Sequence, residues 1–247
     1  TCFKNGYKVV KDFNIKLEYG QNVMIIGPNG SGKSSIIELI NRNIYPIEGD
    51  NVVLKIFNKD LINIWELRKK INTVNSEIKN RFDPNIKVID LIISGLYGKY
   101  CEVRNKTDQD ISIAQNLIKK MSIYKLNNKN FLHLSEGEKQ IVLIARGLIK
   151  KPKILILDEP TNNLDLKSKF YVIDQINELS KLGTNLLCIS HDISMITKIY
   201  NRVIMLKDRS IIADGNQRNV MNNLNINKLF EINVKLLKSK DNWSIYR

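Results

Sequence analysis

The sequence lacks the features of a membrane-spanning or disulfide-stabilised protein. No apolar run is longer than about five residues, whereas a membrane-spanning helix needs about 20. The three cysteines lie far apart, form no metal-binding spacing and suit a reducing compartment. Residues 1–6 have no apolar core of the kind that signal peptides carry. We therefore expect neither a membrane span nor a disulfide framework in this chain.

Proline-rich linkers, internal repeats and low-complexity tracts are also absent, so the 247 residues fit one large domain or two lobes. The charge is unbalanced, because 39 Lys and Arg against 25 Asp and Glu give a net charge of +14. Such an excess is typical of proteins that bind nucleic acid. Here the basic residues are scattered in pairs such as Lys69-Lys70, with no run of five or more. The charge alone therefore does not predict a nucleic-acid partner.

Short apolar runs alternate with helical patterns along the chain. Runs of buried-strand type cover 23–26, 154–157 and 186–189. Between 88 and 149 the apolar spacing is helical, for example at 110–121, and no strand pair is evident. Apolar strands separated by helices predict a mainly parallel sheet that is covered on both faces. We therefore predict an α/β fold in which a helical lobe interrupts the core.

A glycine-rich loop follows the first buried strand. Residues 27–34 match G-x-x-x-x-G-K-[ST] at every fixed position, and a helical pattern follows them. Glycines let the backbone N–H groups face a phosphate, and the start of a helix adds the positive end of its dipole. Lys33 can reach the outer phosphates, and the Ser34 hydroxyl can bind Mg²⁺. This pattern predicts a nucleoside triphosphate site made by Gly27, Pro28, Asn29, Gly30, Ser31, Gly32, Lys33, Ser34 and Ser35.

Two of the predicted strands end in polar side chains. The run 154–157 is followed by Asp158 and Glu159, and the run 186–189 leads to His191. Asp158 suits the Mg²⁺ shell of a nucleotide, and Glu159 suits a group that orients or deprotonates the attacking water. Parallel sheets form their ligand crevice at the carboxyl ends of the strands. We therefore predict catalytic roles for Glu159 and His191 and a metal-binding role for Asp158.

A second candidate phosphate site precedes the acidic strand. Ser135 and Gly137 stand just before an apolar helical pattern, 141–149, so a helix start can bind phosphate there as in the first loop. The same residues also fit a capping box, in which Ser135 caps the helix and Glu138 lies three residues later. The two interpretations are compatible with each other, and both stay open at this point.

The order of these motifs resembles that of the ATP-binding cassette (ABC) ATPase family over nearly the whole chain. The family's LSGGQ signature is found as LSEGE at Leu134–Glu138, in which Glu replaces the first Gly and the final Gln. The segment 161–165 resembles the family's D-loop, and His191 lies where the family has its switch histidine. Phosphate loop, signature, acidic strand, D-loop and histidine in this order form a highly specific pattern.

The resemblance implies a P-loop NTPase core with a mainly parallel sheet, an N-terminal antiparallel β portion and an inserted helical subdomain. The core would comprise 1–78 and 151–215, the helical subdomain 79–150, and a C-terminal closing segment 216–247. At the boundary of that segment, Asp214-Gly215 predicts a turn, and the residues beyond it a short helix and a strand near 232–237.

The resemblance also implies a mechanism that uses ATP and Mg²⁺. Two cassettes of a homodimer pack head to tail, and each ATP lies between the phosphate loop of one copy and the signature of the other. Signature contacts would come from Ser135, Gly137 and Glu138. Glu159 would be the catalytic base, His191 would contact the γ-phosphate, and Asp165 would act across the dimer. The expected function is the ATP-hydrolysing subunit of a transporter, cytoplasmic and attached to a separate permease at the inner face of a membrane.

Two departures from the family pattern concern Mg²⁺ and adenine. The family has a Gln after an early strand, where this chain has 71–77, with Ser76 in or near the Gln position as the candidate metal ligand. Such Ser-containing loops resemble those of a molybdate- and iron-chelate-like branch of single-cassette proteins. The aromatic ring that stacks on adenine is assigned to Tyr7, with Phe3 as the alternative.

Two other classes of function stay open at this stage. One is a soluble ABC ATPase that acts on RNA, ribosomes or DNA, although such relatives carry a second cassette or a long coiled-coil insertion that 247 residues do not accommodate. The other is a nucleotide-binding regulator without turnover, which the missing Gln and the altered signature favour. The presence of Glu159 and His191 argues against this second class.

Overall fold

Ten strands and eight helices make up the chain in a computed structural model that describes residues 2–4, 7–10, 14–46, 53–239 and 242–247, without the side chains of 2–10, 76 and 77. The strands are β1 (Cys2–Lys4), β2 (Tyr7–Val10), β3 (Val23–Ile26), β4 (Ile71–Asn75), β5 (Ile154–Asp158), β6 (Asn185–Ser190), β7 (Arg202–Lys207), β8 (Ser210–Asn216), β9 (Lys235–Ser239) and β10 (Asn242–Tyr246). The helices are α1 (Lys33–Ile40), α2 (Ile64–Lys70), α3 (Val88–Tyr97), α4 (Asp108–Lys120), α5 (Glu136–Leu148), α6 (Leu166–Leu179), α7 (Gln217–Val220) and α8 (Asn223–Phe230).

The chain divides into two compact units. The loop unit comprises Thr1–Ile71 and Asn185–Arg247, and the signature unit comprises Asn72–Thr184. The loop unit carries the predicted phosphate loop and His191, and the signature unit carries Asp158, Glu159 and the LSEGE segment. No helix among the described residues is long and apolar enough to cross a membrane.

The sheet of the loop unit is built around β3. This strand pairs in parallel with β6 on one side and with β7 on the other, and β8 pairs antiparallel with β7. All four residues of β3 are buried, which is why the strand is apolar throughout instead of alternating with polar residues. The predicted mainly parallel α/β fold is confirmed, and β1 and β2 form the expected antiparallel N-terminal pair.

The C-terminal part of the loop unit corrects one prediction. Asp214 and Gly215 lie inside β8, paired with Ile204 and Val203 of β7, so the predicted turn is wrong. The Asp214 carboxylate accepts hydrogen bonds from Nε and Nη2 of Arg202, both at 2.7 Å. This bidentate pair holds the Asp-Gly dipeptide in the strand, where local turn preference does not prevail. The following strand, β9, begins three residues later than the sequence pattern suggests, at Lys235.

The signature unit packs its helices around α5, whose residues from Gln140 to Leu148 are all buried. Gly95 of α3 lies so close to α5 that an added Cβ would be 2.5 Å from the Arg146 carbonyl oxygen. The Arg146 guanidinium stacks on the rings of Phe82 and Tyr100 and donates to Ser94 Oγ and to the Lys99 carbonyl oxygen. Close helix contact and a stacked arginine therefore fix the helix that begins at the signature.

Candidate nucleotide-binding and hydrolysis site

The phosphate loop has the backbone that a phosphate cradle needs. Gly30 and Gly32 have φ of 80° and 99°, in the left-handed region that only glycine adopts without strain. Gly32 is also the N-cap of α1, and no described side chain caps this helix. The first turn of α1 contains no acidic residue either. Its N–H groups and its dipole are therefore directed at whatever anion occupies the loop.

Gly27 holds the loop tightly against the sheet. Its N–H donates to the Ser190 carbonyl oxygen at 3.3 Å, and an added Cβ would lie 2.2 Å from the Leu206 carbonyl oxygen. Ser31 is buried to 1% exposure, and its Oγ has no hydrogen-bond partner among the described residues. A buried hydroxyl without a partner is costly unless a ligand satisfies it. The loop therefore fits a bound phosphate, and the assignment of its residues to nucleotide binding stays a prediction.

Lys33, which is predicted to bind the outer phosphates, lies against the backbone of the phosphate loop. The side chain is 6% exposed, and Nζ donates to the Gly27 and Pro28 carbonyl oxygens at 2.7 and 3.0 Å. These two contacts hold the ammonium against the loop backbone, where the outer phosphates of a bound nucleotide would lie.

His191 follows β6 at the same edge of the sheet as the phosphate loop. In the parallel pair of β3 and β6, Ile26 is opposite Ser190. These are the last residues of the two strands, so Gly27 and His191 each follow directly after a strand end. His191 is exposed, and the turn after it is held by Asp192, whose Oδ1 accepts from Ser194 N at 3.0 Å. The predicted strand-end position of His191 is therefore observed within the loop unit.

In the signature unit, Asp158 ends β5 and Glu159 begins a strained turn. Glu159 has φ of 46°, which a non-glycine residue seldom adopts. The Asn162 N–H donates to the Glu159 carbonyl oxygen at 3.1 Å and closes the turn. Such backbone strain costs about 1–3 kcal/mol and is concentrated at functional sites. Asp158 and Glu159 are both half-buried residues at the end of a buried strand, and the turn fixes the backbone of Glu159.

The signature segment forms the capping box that the sequence predicts. Ser135 Oγ accepts from the Glu138 N–H at 3.2 Å, and Glu138 Oε2 accepts from the Ser135 N–H at 2.8 Å. Gly137 is needed for packing, because an added Cβ would be 3.0 Å from Ser168 Cβ of α6. The capping interpretation is therefore confirmed, while the Ser135 hydroxyl proton stays available as a donor.

The first turns of α5 and α6 lie side by side in the signature unit. Asp165 is the N-cap of α6 and accepts from Ser168 Oγ at 2.7 Å and from Ser168 N at 3.0 Å. These hydrogen bonds hold the pKa of the Asp165 carboxyl below its usual value. Because Gly137 contacts Ser168 as well, the signature and the predicted D-loop residue share one surface.

An open cavity of about 500 Å³ lies beside the signature. Phe82, Phe131 and the exposed Leu132 give it an apolar lining, and Lys79, Glu136 and Lys139 give it a charged rim. Sequence reasoning missed Lys79, which bonds Glu136 across 57 positions of chain. No local pattern signals such a pair.

Two predicted site residues have side chains outside the described part of the structure. Tyr7, the candidate for adenine stacking, is described only as a residue of β2, and Ser76 only as the first residue of a 3-10 turn, Ser76–Arg81. Among the described residues, no group of three or more His, Cys, Asp or Glu side chains forms a metal cluster. The remaining predicted Mg²⁺ ligands, Ser34 and Asp158, both offer oxygen atoms, the donors that Mg²⁺ prefers.

Comparison with known proteins identifies the family. The sequence profile of ABC transporters matches residues 10–162. An uncharacterised ABC transporter ATP-binding protein of Lactococcus lactis, YmeB, is 37% identical and is covered over 90% of its length by 94% of this chain. The solved structure of CbiO1 from Clostridium perfringens, part of the CbiONQ transporter complex, has a TM-score of 0.77 at 26% identity, covering 92% of this chain and 90% of that one.

A second solved structure adds a dimeric state. It is the ATP-binding cassette MJ0796, described as a dimer in a post-hydrolysis state bound to ADP and phosphate. Its TM-score is 0.68 at 26% identity, over 87% of this chain and 94% of that one. The chain belongs to the ABC transporter family, as an ATP-binding and ATP-hydrolysing cassette subunit.

Proposed function

We propose that this cassette hydrolyses Mg-ATP with Glu159 as the general base, in a head-to-tail homodimer that drives a separate membrane permease. The observation that carries the proposal is the phosphate loop, with its uncapped helix start, its buried Ser31 hydroxyl and its buried Lys33. Backbone N–H groups of Gly27–Ser35 bind the phosphates, and Lys33 moves its ammonium from the loop carbonyls to the β- and γ-phosphate oxygens.

The chemical step uses a water molecule and a base near the γ-phosphate of Mg-ATP. Glu159 accepts a proton from this water while the water oxygen attacks phosphorus, and the bond to the ADP oxygen breaks, leaving ADP and inorganic phosphate. His191 donates a hydrogen bond to a γ-phosphate oxygen and so stabilises the charge that builds up there. Ser34, Asp158 and Ser76 are the proposed Mg²⁺ ligands. The ion, when bound, neutralises charge on the phosphate oxygens.

The second half of each site comes from the partner copy. In the proposed dimer, Ser135, Gly137 and Glu138 of one cassette face the ATP bound in the phosphate loop of the other, and Asp165 lies beside them. The contact of the first turns of α5 and α6 through Gly137 and Ser168 supports this assignment, because it makes one continuous surface of the signature and Asp165. Tyr7 is the proposed partner of the adenine ring.

We also propose a division of the chain into subdomains. Residues 1–78 and 151–215 form the nucleotide-binding core, 79–150 the helical signature subdomain and 216–247 the closing segment. The helices α3, α4 and the signature helix α5, all within 79–150, support the middle assignment. The relation to the molybdate- and iron-chelate-like branch, which concerns the loop around Ser76, stays a prediction.

We assign the permease contact to the cavity beside the signature. Its apolar lining beside a charged rim favours an amphipathic partner segment. The cassette would then be attached to the inner face of the membrane from the cytoplasm. Co-purification with a membrane protein from the native cell, lost in Leu132→Glu and retained in a remote surface variant such as Lys181→Glu, tests this contact.

A phosphate-release assay tests the enzymatic part of the proposal. Steady release of phosphate from ATP that stops with EDTA, and resumes with added Mg²⁺, is the expected result. A chain that binds ATP without turnover would be a regulator instead. Binding of RNA or DNA that weakens with rising salt but persists at physiological ionic strength would favour the nucleic-acid alternative, for which the comparisons give no support.

A further inference from the structure

The start of the signature helix carries an unusual amount of charge for a phosphate-facing surface. Glu136 and Glu138 lie in the first turn of α5, where the family pattern LSGGQ has no charged residue. Two carboxylates at this position oppose the binding of a triphosphate, since like charges repel over several ångströms. A cassette with this sequence therefore needs a device that keeps the helix start attractive to an anion.

Three lysines surround these two carboxylates. Glu136 Oε2 accepts from Lys79 Nζ at 2.6 Å, and Glu136 Oε1 accepts from Lys139 Nζ at 2.8 Å. Glu138 Oε1 lies 3.7 Å from Lys129 Nζ, while its other oxygen is engaged in the capping box. The cluster of two glutamates and three lysines thus has one positive charge in excess.

Both glutamates are directed to the lysines and to the helix backbone. Glu136 is the first residue of α5, where helical backbone accommodates any residue, so the glycine of the family pattern is not needed there for its conformation. The hydrogen bonds from Lys139 and Lys79 lower the pKa of Glu136 and keep it ionised at neutral pH. Burial raises the pKa of the neighbouring Tyr171 phenol, and the charge on Glu138 adds to that rise.

Lys79 differs from the other two lysines because it comes from another part of the chain. It belongs to the 3-10 turn Ser76–Arg81 that follows β4. This turn begins within 71–77, the segment that stands in for the family's Gln-containing loop, and Lys79 lies just beyond that segment. Its bond to Glu136 joins this turn to the first residue of the signature helix. The side chain of Lys79 is one-third exposed, so the pair acts through charge and position more than through stability.

We infer that Lys79 is a positioning residue of the signature half-site: by pairing with Glu136 it removes a repelling charge from the surface that receives the partner copy's ATP. This inference rests on the proposed head-to-tail dimer and deepens it. It explains how this chain uses Glu where the family pattern has Gly. If the inference holds, dimerisation requires Lys79 only while Glu136 is present. A residue that contacts the nucleotide directly would be required whether Glu136 is present or not.

The test measures ATP-dependent dimerisation in a Glu159→Gln background, which removes turnover. Size-exclusion chromatography at a series of Mg-ATP concentrations gives the dimerisation constant for Lys79→Ala, Glu136→Gly and the double variant. If each pair contributes about threefold, as weak exposed ion pairs do, the two sites of a dimer give about tenfold weaker dimerisation for Lys79→Ala. Glu136→Gly and the double variant should dimerise about as well as the parent.

Two controls separate this effect from a general loss of charge or of folding. Lys181→Ala removes an exposed ion pair of the same unit and the same length, 2.6 Å to Glu178, and should leave dimerisation unchanged. Lys79→Arg should retain dimerisation. The defect of Lys79→Ala should also shrink at high salt, because screening weakens the repulsion that the variant exposes.

Three results would overturn the inference. Unchanged dimerisation in Lys79→Ala would mean that the Lys79–Glu136 pair does not contribute to dimerisation. An equal defect in the double variant would mean that Lys79 contacts the partner or its nucleotide directly. A parent that binds ATP and stays monomeric at every concentration would instead refute the proposed dimer, and the inference would fall with it.

Discussion

Two helix starts in this chain are assigned to the same nucleotide and are built in opposite ways. The start of α1 has no side-chain cap, no acidic residue in its first turn and a buried lysine above it. The start of α5 has a complete capping box and two glutamates in its first turn. The first leaves its N–H groups to a ligand, and the second satisfies part of its own hydrogen bonding in the isolated chain.

The difference indicates which of the two binds ATP first. A glycine N-cap such as Gly32 costs a helix only about a few tenths of a kcal/mol, but it leaves N–H groups without acceptors, so a bound phosphate that supplies these acceptors stabilises the start of α1. The capped start of α5 is stable without ligand and needs only to be presented to a second copy. We therefore expect binding in the phosphate loop of each copy to precede the contact with the signature of its partner.

The largest expected effect comes from a substitution that removes the proposed catalytic base and leaves both helix starts unchanged. Glu159→Gln removes the proposed base and should lower steady-state hydrolysis by at least about 100-fold. ATP binding should remain near the parent level, because neither helix start is altered. Phosphate release and the binding of a fluorescent ATP analogue measure the two properties in parallel. Retained hydrolysis would remove Glu159 from the mechanism.

The next largest effect is expected from a substitution at the start of α1, in the phosphate loop. Lys33→Met should weaken binding of ATP to the monomer by about 10- to 100-fold, the value of a charge-assisted hydrogen bond. Thermal stabilisation by ATP should be lost to the same extent. Lys181→Met, at an exposed position remote in sequence from the loop, is the matched control. If Lys33→Met still gained stability from ATP as the parent does, the loop would not be the principal site.

A smaller effect concerns the other helix start. Gly137→Ala brings a Cβ to 3.0 Å from Ser168 Cβ, and such overpacking costs about 1–3 kcal/mol. Stability should fall by that amount, and dimerisation in the Glu159→Gln background should weaken, with monomer binding of ATP unchanged. Ser168→Gly removes the opposing atom and should relieve part of the cost in a double-mutant cycle. Purely additive effects would show that the contact with α6 is not what requires glycine.

The smallest effect tests the cap itself. Ser135→Ala should lower the free energy of unfolding by about 1 kcal/mol, as loss of an N-cap hydroxyl does. Denaturant unfolding without nucleotide measures it. No such loss is possible at α1, since Gly32 offers no side chain to remove. A Ser135→Ala variant with unchanged stability would show that the capping box does not stabilise the free chain.

Features encoded locally could be predicted from the sequence. The phosphate loop, the buried strands and the Ser135–Glu138 capping box each need only a few neighbouring residues, and all are observed. Features that depend on distant partners could not be predicted. The Lys79–Glu136 pair and the close approach of Gly137 to Ser168 both arise from packing between segments far apart in the chain.

Asp214-Gly215 is a case in which a local sequence pattern led to a wrong prediction. As a dipeptide it is typical of a turn, yet it lies in β8 because Arg202 of the neighbouring strand binds the Asp214 carboxylate at 2.7 Å. Local preference decides such a segment only where no long-range partner competes. The sequence therefore predicts the phosphate loop better than it predicts the surface where two copies would meet.

The central claim is that one ATP is held by the uncapped helix start of one copy and the capped helix start of another. Light scattering of the Glu159→Gln variant with Mg-ATP measures it most directly. The account predicts a particle of twice the 28.5 kDa chain mass with Mg-ATP and a single chain without nucleotide. A single chain with ATP bound, at protein concentrations where related cassettes pair, would contradict it.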